Sequence, residues 1–130
     1  MVNSLFAAFK QEQMGDAAGP GHGVVNWESN TIKGTLIDSA DDTINVNTDQ
    51  DIADILAAAR VATATLASKT AVLSGNTVTM GAADLTFTAV TGDQAEQLII
   101  WKDSGVESTS LLLVFFDTFG SGMPVTPNGG

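Results

Sequence analysis

The chain has 130 residues, 44% of them hydrophobic, with five basic and fifteen acidic side chains and a net charge of −10. That length suits one domain with a modest core, and the apolar content is enough to oppose the entropy of folding. The five cations (Lys10, Lys33, Arg60, Lys69 and Lys102) are scattered, which argues against a nucleic-acid surface, and no apolar run is long enough to cross a bilayer or to follow a basic leader.

Cys and Tyr are absent, so disulfide and thiolate chemistry are excluded. The acidity reads as solubility and mutual repulsion before assembly, with a positively charged docking surface as the second possibility.

Asn3 or Ser4 can cap a short helix from Leu5 to about Met14, ended by Gly15. Leu5, Phe6 and Phe9 share one face of it, with Lys10, Gln11 and Glu12 opposite. Ala17 to Gly23 is a Gly/Pro loop, after which Val24 to Trp27 either forms a short strand or anchors the loop by burying Trp27. Thr31 to Asp38 is the first solid strand. Ile32, Gly34 and Leu36 face one way and Lys33, Thr35 and Ile37 the other. Gly34 weakens it and marks a bulge or a close contact.

Ser39 to Gln50 reads as a long acidic loop in which Ile44 and Val46 pair briefly at most. Asp51 to Ala59 suits a helix of about two turns with Ile52, Ile55 and Leu56 buried. The period then changes to two. Arg60 to Leu66 and Lys69 to Leu73 are strands, Ser74-Gly75-Asn76 a turn, and Thr77 to Met80 the returning arm of a hairpin. Leu85 to Val90 alternates as a strand, while Leu98 to Lys102 and Leu111 to Phe116 are apolar on both faces, as central strands are. The predicted fold is mainly β: a single-domain antiparallel β-sandwich or jelly-roll-like barrel with a short N-terminal helix and one short internal helix. Residues 1–16 form a helical arm, 17–119 the β-domain and 120–130 a Gly/Pro-rich tail.

Reactive chemistry is sparse. The single histidine, His22, sits between glycines with nothing to orient it as a base. Asp38, Asp41, Asp42, Asp49, Asp51 and Asp54 invite a calcium hypothesis, but no EF-hand spacing is present and Asp51 and Asp54 suit the start of a helix. Nothing places two carboxylates in one cleft for a hydrolase. Trp27 and Trp101 read as core or interface rather than sugar platforms. No catalytic residue, metal ligand or cofactor site is therefore assigned. Candidate interface residues are Leu5, Phe6 and Phe9 of the arm, Leu112, Val114 and Phe116 of the apolar run, and Met123, Pro124 and Val125 of the tail. For the apolar run, a central core strand is the favoured reading and an interface the second.

Several stretches resemble a family of small virion proteins of tailed phages. They are Asn30-Thr31-Ile32-Lys33 with Leu36-Ile37-Asp38, Arg60-Val61-Ala62-Thr63 with Leu66 and Lys69-Thr70, and Ala83-Asp84-Leu85-Thr86-Phe87. Leu98-Ile99-Ile100-Trp101-Lys102-Asp103-Ser104-Gly105, with Thr109-Ser110 and Asp117, is the most specific, and Met123 to Gly130 also fits. The resemblance implies a structural component of the virion, with head decoration (cement) leading and a tail or neck position as the alternative. A virion-displayed carbohydrate-binding module is the third reading, because sandwiches hold sugars in their end loops. The implied partners are the major capsid protein and further copies of the chain, a trimer being favoured, with no nucleic acid and no membrane. The implied location is the capsid surface. The chain departs from the family at Gly34, where a β-branched residue is common, at Trp101, where Tyr is common, and in the Gly-rich loop. Similar proteins continue past Asn-Gly-Gly with one more strand, so either this member is shorter or that strand is missing here, and in the second case the sheet has an open edge that a neighbour can fill.

Overall fold

Alternation of small, apolar and polar side chains dictates extended backbone over much of the chain, and the strands pair in the order this alternation allows. A computed structural model describes residues 3–15, 23–117 and 122–129. Its elements are β1 (Ser4–Leu5), α1 (Ala7–Gln13), β2 (Ile32–Ile37), β3 (Arg60–Thr65), β4 (Thr70–Ser74), β5 (Thr77–Gly81), β6 (Gln97–Lys102) and β7 (Leu112–Phe116). Five strands form one antiparallel sheet in the order β1-β7-β6-β2-β3, and β4 and β5 form a separate two-stranded sheet. The fold is thus mainly β, antiparallel and sandwich-like, as predicted.

The sheet is apolar on both faces. Ile37, Ile99, Trp101, Leu112 and Phe115 lie on one, covered by Phe6, Ile44, Ile52, Ile55 and Ala59. Ile32, Ile100, Leu111 and Leu113 lie on the other, with Ala8 and Leu66, and Trp27 and Leu85 pack against them. β2 divides as its alternation predicts, and Gly34 is a close contact rather than a bulge: a Cβ there would lie 2.4 Å from Leu85 Cδ2. The bulges fall elsewhere. Between Ile100 and Trp101 the register skips Leu113, which lets Leu112 and Phe115 reach the same face although three residues apart. Leu111 to Phe116 is mainly core, with Val114 and Phe116 half-buried.

Four predicted elements are corrected. The N-terminal helix starts at Ala7, because Ser4 and Leu5 pair with Phe115 and Val114 as an edge strand. It is no detached arm. Phe6 is 0% exposed and meets Phe115 edge-on, with ring centroids 6.5 Å apart, and Glu12 is buried rather than on an outer polar face. The internal helix is two short 3-10 turns, Ile52–Asp54 and Ala57–Ala59. The Leu56 N–H donates to Asp42 Oδ2 at 2.7 Å instead of continuing the helical ladder, and Ile55 is extended. Leu85 to Val90 joins no sheet. Leu85 and Phe87 are half-buried, and Ala89 has φ 53°, which a strand cannot hold. The C-terminal segment 122–129 is folded back, not free: Ala95 and Val125 exchange backbone hydrogen bonds of 2.9 and 2.8 Å, and the Gly129 N–H donates to the Val90 carbonyl at 2.8 Å. Within 23–30 the chain turns, and Trp27 anchors it by donating its indole N–H to the Gly81 carbonyl at 3.0 Å.

Candidate functional site

The acidic segment from Asp38 to Asp54 has too few apolar residues for a regular element, so its backbone N–H groups need other acceptors. Its own carboxylates supply them. The Ala40 N–H donates to Asp38 Oδ1 and the Asn45 N–H to Asp49 Oδ2, each at 2.7 Å. The Gln50 N–H donates to Asp54 Oδ2 at 2.7 Å and the Ala53 N–H to Asp51 Oδ1 at 3.1 Å, so Asp51 and Asp54 close a capping box on the first 3-10 turn. Burial pushes the Asp49 carboxyl up, opposed by the hydrogen bonds from the Asn45 N–H and the Thr48 hydroxyl. These bonds hold Ile44 in the core and leave Val46 packed against it without a strand.

Arg60 locks the same segment from the other side. Its guanidinium donates to the Ile52 carbonyl at 2.6 Å and to the Ile55 carbonyl at 2.6 and 3.0 Å, then reaches Glu107 Oε1 at 2.9 Å. A second polar knot crosses the sheet. The buried Trp101 indole N–H donates to Thr35 Oγ1 at 2.8 Å, and that hydroxyl lies 2.8 Å from Thr63 Oγ1. Lys33 sits 5.4 Å from the Trp101 ring centroid and pairs with Asp103.

Asp38, Asp41 and Asp93 bring one carboxylate oxygen each within 4.8 Å of one another. Three such oxygens are at most half of the shell calcium takes, and Asp38 Oδ1 already accepts the Ala40 N–H. The grouping of Asp38 with Asp93 is a tertiary product that no sequence spacing announces. His22 lies outside the described residues, as do the ends of the N-terminal and C-terminal segments.

Among the described residues, two apolar surfaces are open. One is a cleft of about 460 Å3 between the sheet and the folded-back C-terminal segment, walled by Leu36, Leu85, Phe87, Leu98, Met123 and Val125. The other is the β4–β5 hairpin. Its register pairs Leu73 with Val78 and Ala71 with Met80, which puts four apolar side chains on one face, while Thr70, Val72, Ser74, Thr77 and Thr79 take the other. Leu73 is 70% exposed, Val78 62% and Met80 43%.

The candidate interface residues thus divide. Leu5 is 41% exposed at the sheet edge and Pro124 is exposed; Phe9, Val114, Phe116, Met123 and Val125 are half-buried; Phe6 and Leu112 are core. Burial within the chain removes Phe6 and Leu112 from its surface. The hairpin face was missed as a surface, although its signal was present: a predicted hairpin whose paired apolar residues fall on one side, in a stretch almost free of charge.

Fold and surface together define a small antiparallel β-domain whose open features are apolar faces. No family model, curated protein or solved structure matches the chain.

Proposed function

We propose that the chain is a non-enzymatic structural protein of a tailed-phage particle, a decoration protein that binds the major capsid protein on the assembled head and stabilises it. The observation that carries the non-enzymatic part is the use of the carboxylates. Acids are the most abundant ionisable groups, and Asp38, Asp42, Asp49, Asp51 and Asp54 are engaged in holding backbone N–H groups. The decoration part rests on the resemblance carried by Leu98 to Gly105 and its companion stretches. A protein that binds only the assembled lattice stabilises it by RT ln(1 + [L]/Kd) at each site, and many sites add. The sugar-platform reading is disfavoured because Trp101 is buried and the Trp27 indole N–H is engaged by Gly81.

The test is the copy number of this chain relative to the major capsid protein in purified particles. A fixed lattice fraction, amounting to hundreds of copies, supports decoration. Only a handful of copies moves the protein to the neck or tail, and absence from the particle rejects a structural role.

A further inference from the structure

Leu36 of β2 and Leu98 of β6 stand directly opposite each other in the main sheet. Two irregular stretches close over them, Leu85 and Phe87 on one side and Met123 to Asn128 on the other, and the cleft of about 460 Å3 lies between. Leu85 rests on the backbone of β2 at Gly34, where a Cβ would lie 2.4 Å from its Cδ2. A side chain at position 34 would push Leu85 off the strand, so this glycine sets how deep that wall of the cleft sits. Asn128 lines the cleft and is exposed, which marks its mouth.

Size and hydrogen bonding select the occupant. An apolar cavity of about 150 Å3 takes benzene, so this volume suits roughly fifteen to twenty non-hydrogen atoms, a small molecule and not a folded partner. An extended peptide would need main-chain hydrogen bonds from the walls. Those groups are already used: Val125 exchanges both of its own with Ala95, and the Gly129 N–H donates to the Val90 carbonyl. The Thr126 hydroxyl is engaged too, accepting from Gln94 Nε2 at 2.8 Å. The described residues that line the cleft carry no charge, so an ionised group drawn into it would lose water without gaining a partner.

We propose that this cleft is a binding site for an uncharged, mainly apolar small molecule of that size. The driving force is the burial of apolar surface on both sides. A molecule seated there touches the sheet at Leu36 and Leu98, the stretch bearing Leu85 and Phe87, and the C-terminal segment at Met123 and Val125 together. It therefore acts as a clasp that fixes the C-terminal segment to the domain. The inference does not depend on a virion location and is tested on the purified chain.

Fluorescence titration of the full chain with N-phenylnaphthylamine, an uncharged probe within that size range, reads the result. Saturable binding of one probe per chain is expected, with a Kd below about 100 μM, and its absence overturns the proposal. Methyl NMR of the unmodified chain locates the probe: shifts are expected at Leu36, Leu85, Leu98 and Val125. Shifts at Leu73 and Val78 instead would put the probe on the hairpin face and overturn the assignment. Val125→Phe projects a ring into the cleft and is expected to weaken binding about tenfold or more, while Leu73→Ser leaves it intact. Unchanged affinity in folded Val125→Phe would overturn the site, and should that variant not fold, the methyl shifts decide. Anilinonaphthalene sulfonate, which adds a charge to the same rings, is expected to bind about tenfold more weakly or worse; equal affinity would overturn the choice of an uncharged ligand. Slower amide exchange at Val125 and Gly129 on binding is expected of a clasp, and unchanged exchange would overturn that part.

Discussion

β6 and the β4–β5 hairpin are built from similar material and meet opposite fates. Both are short, antiparallel and rich in β-branched or apolar residues, yet β6 is the middle strand of the main sheet with Ile99, Ile100 and Trp101 buried, while Leu73 and Val78 of the hairpin stand in water. The difference lies in what comes to cover each strand. β6 has β7 and β2 on its flanks and an apolar cluster on each face. Among the described residues, the hairpin pairs with itself and is anchored by hydrogen bonds with Trp27 and Glu28. Strand-forming pattern therefore specifies conformation, and burial is a separate, non-local decision.

If that contrast is right, substitutions along the covered sheet are costly and those on the hairpin are not. Phe6→Ala empties a fully buried ring site against Phe115 and is expected to cost about 3–5 kcal/mol in chemical denaturation. A loss below 1 kcal/mol, with an unchanged core, would return the N-terminal segment to the role of a detachable arm. Arg60→Ala strips the Ile52 and Ile55 carbonyls of a charged donor, and about 1.5–3 kcal/mol should be lost, with Arg60→Lys intermediate. Faster amide exchange in the segment from Asp51 to Ala59 would mark the same site.

Thr35→Val leaves the buried Trp101 indole N–H without its acceptor, a loss of about 1–3 kcal/mol, readable as a shift in Trp fluorescence and midpoint. A neutral result would show that the cross-sheet knot is dispensable. Hydrogen bonds from Lys33 and from the Gly105 N–H hold the Asp103 carboxyl below the usual carboxylate range. Such a group contributes stability above its unfolded value and loses it as pH falls through the folded value. Between those values the wild type is expected to lose more stability than Asp103→Asn, by no more than about 1 kcal/mol because the pair is partly exposed. The smallest effect is expected at the hairpin, where Leu73→Thr should change monomer stability by no more than about 0.5 kcal/mol. A larger loss would break the comparison, since it would make the hairpin part of the core.

Much of the sheet was legible in advance. The two faces of β2, the β4–β5 hairpin and the double-sided apolar runs of β6 and β7 follow from side-chain alternation, which acts over a few residues and is written in the sequence. So was the dearth of charge between Val61 and Ala83. Tertiary structure decided the rest. Leu85 to Val90 alternates as well as any strand, but pairing needs a free edge with matching register, and Ala89 turns the chain away. Leu5 and Phe6 have helical spacing, but β7 offered them an edge and a core site instead. The acids from Asp38 to Asp54 gave no sign of which backbone groups they would hold, because those partners, such as Leu56 for Asp42, become neighbours only when the chain folds. Local pattern set which residues extend and which way they point; long-range pairing set which of them are covered, clamped or left open.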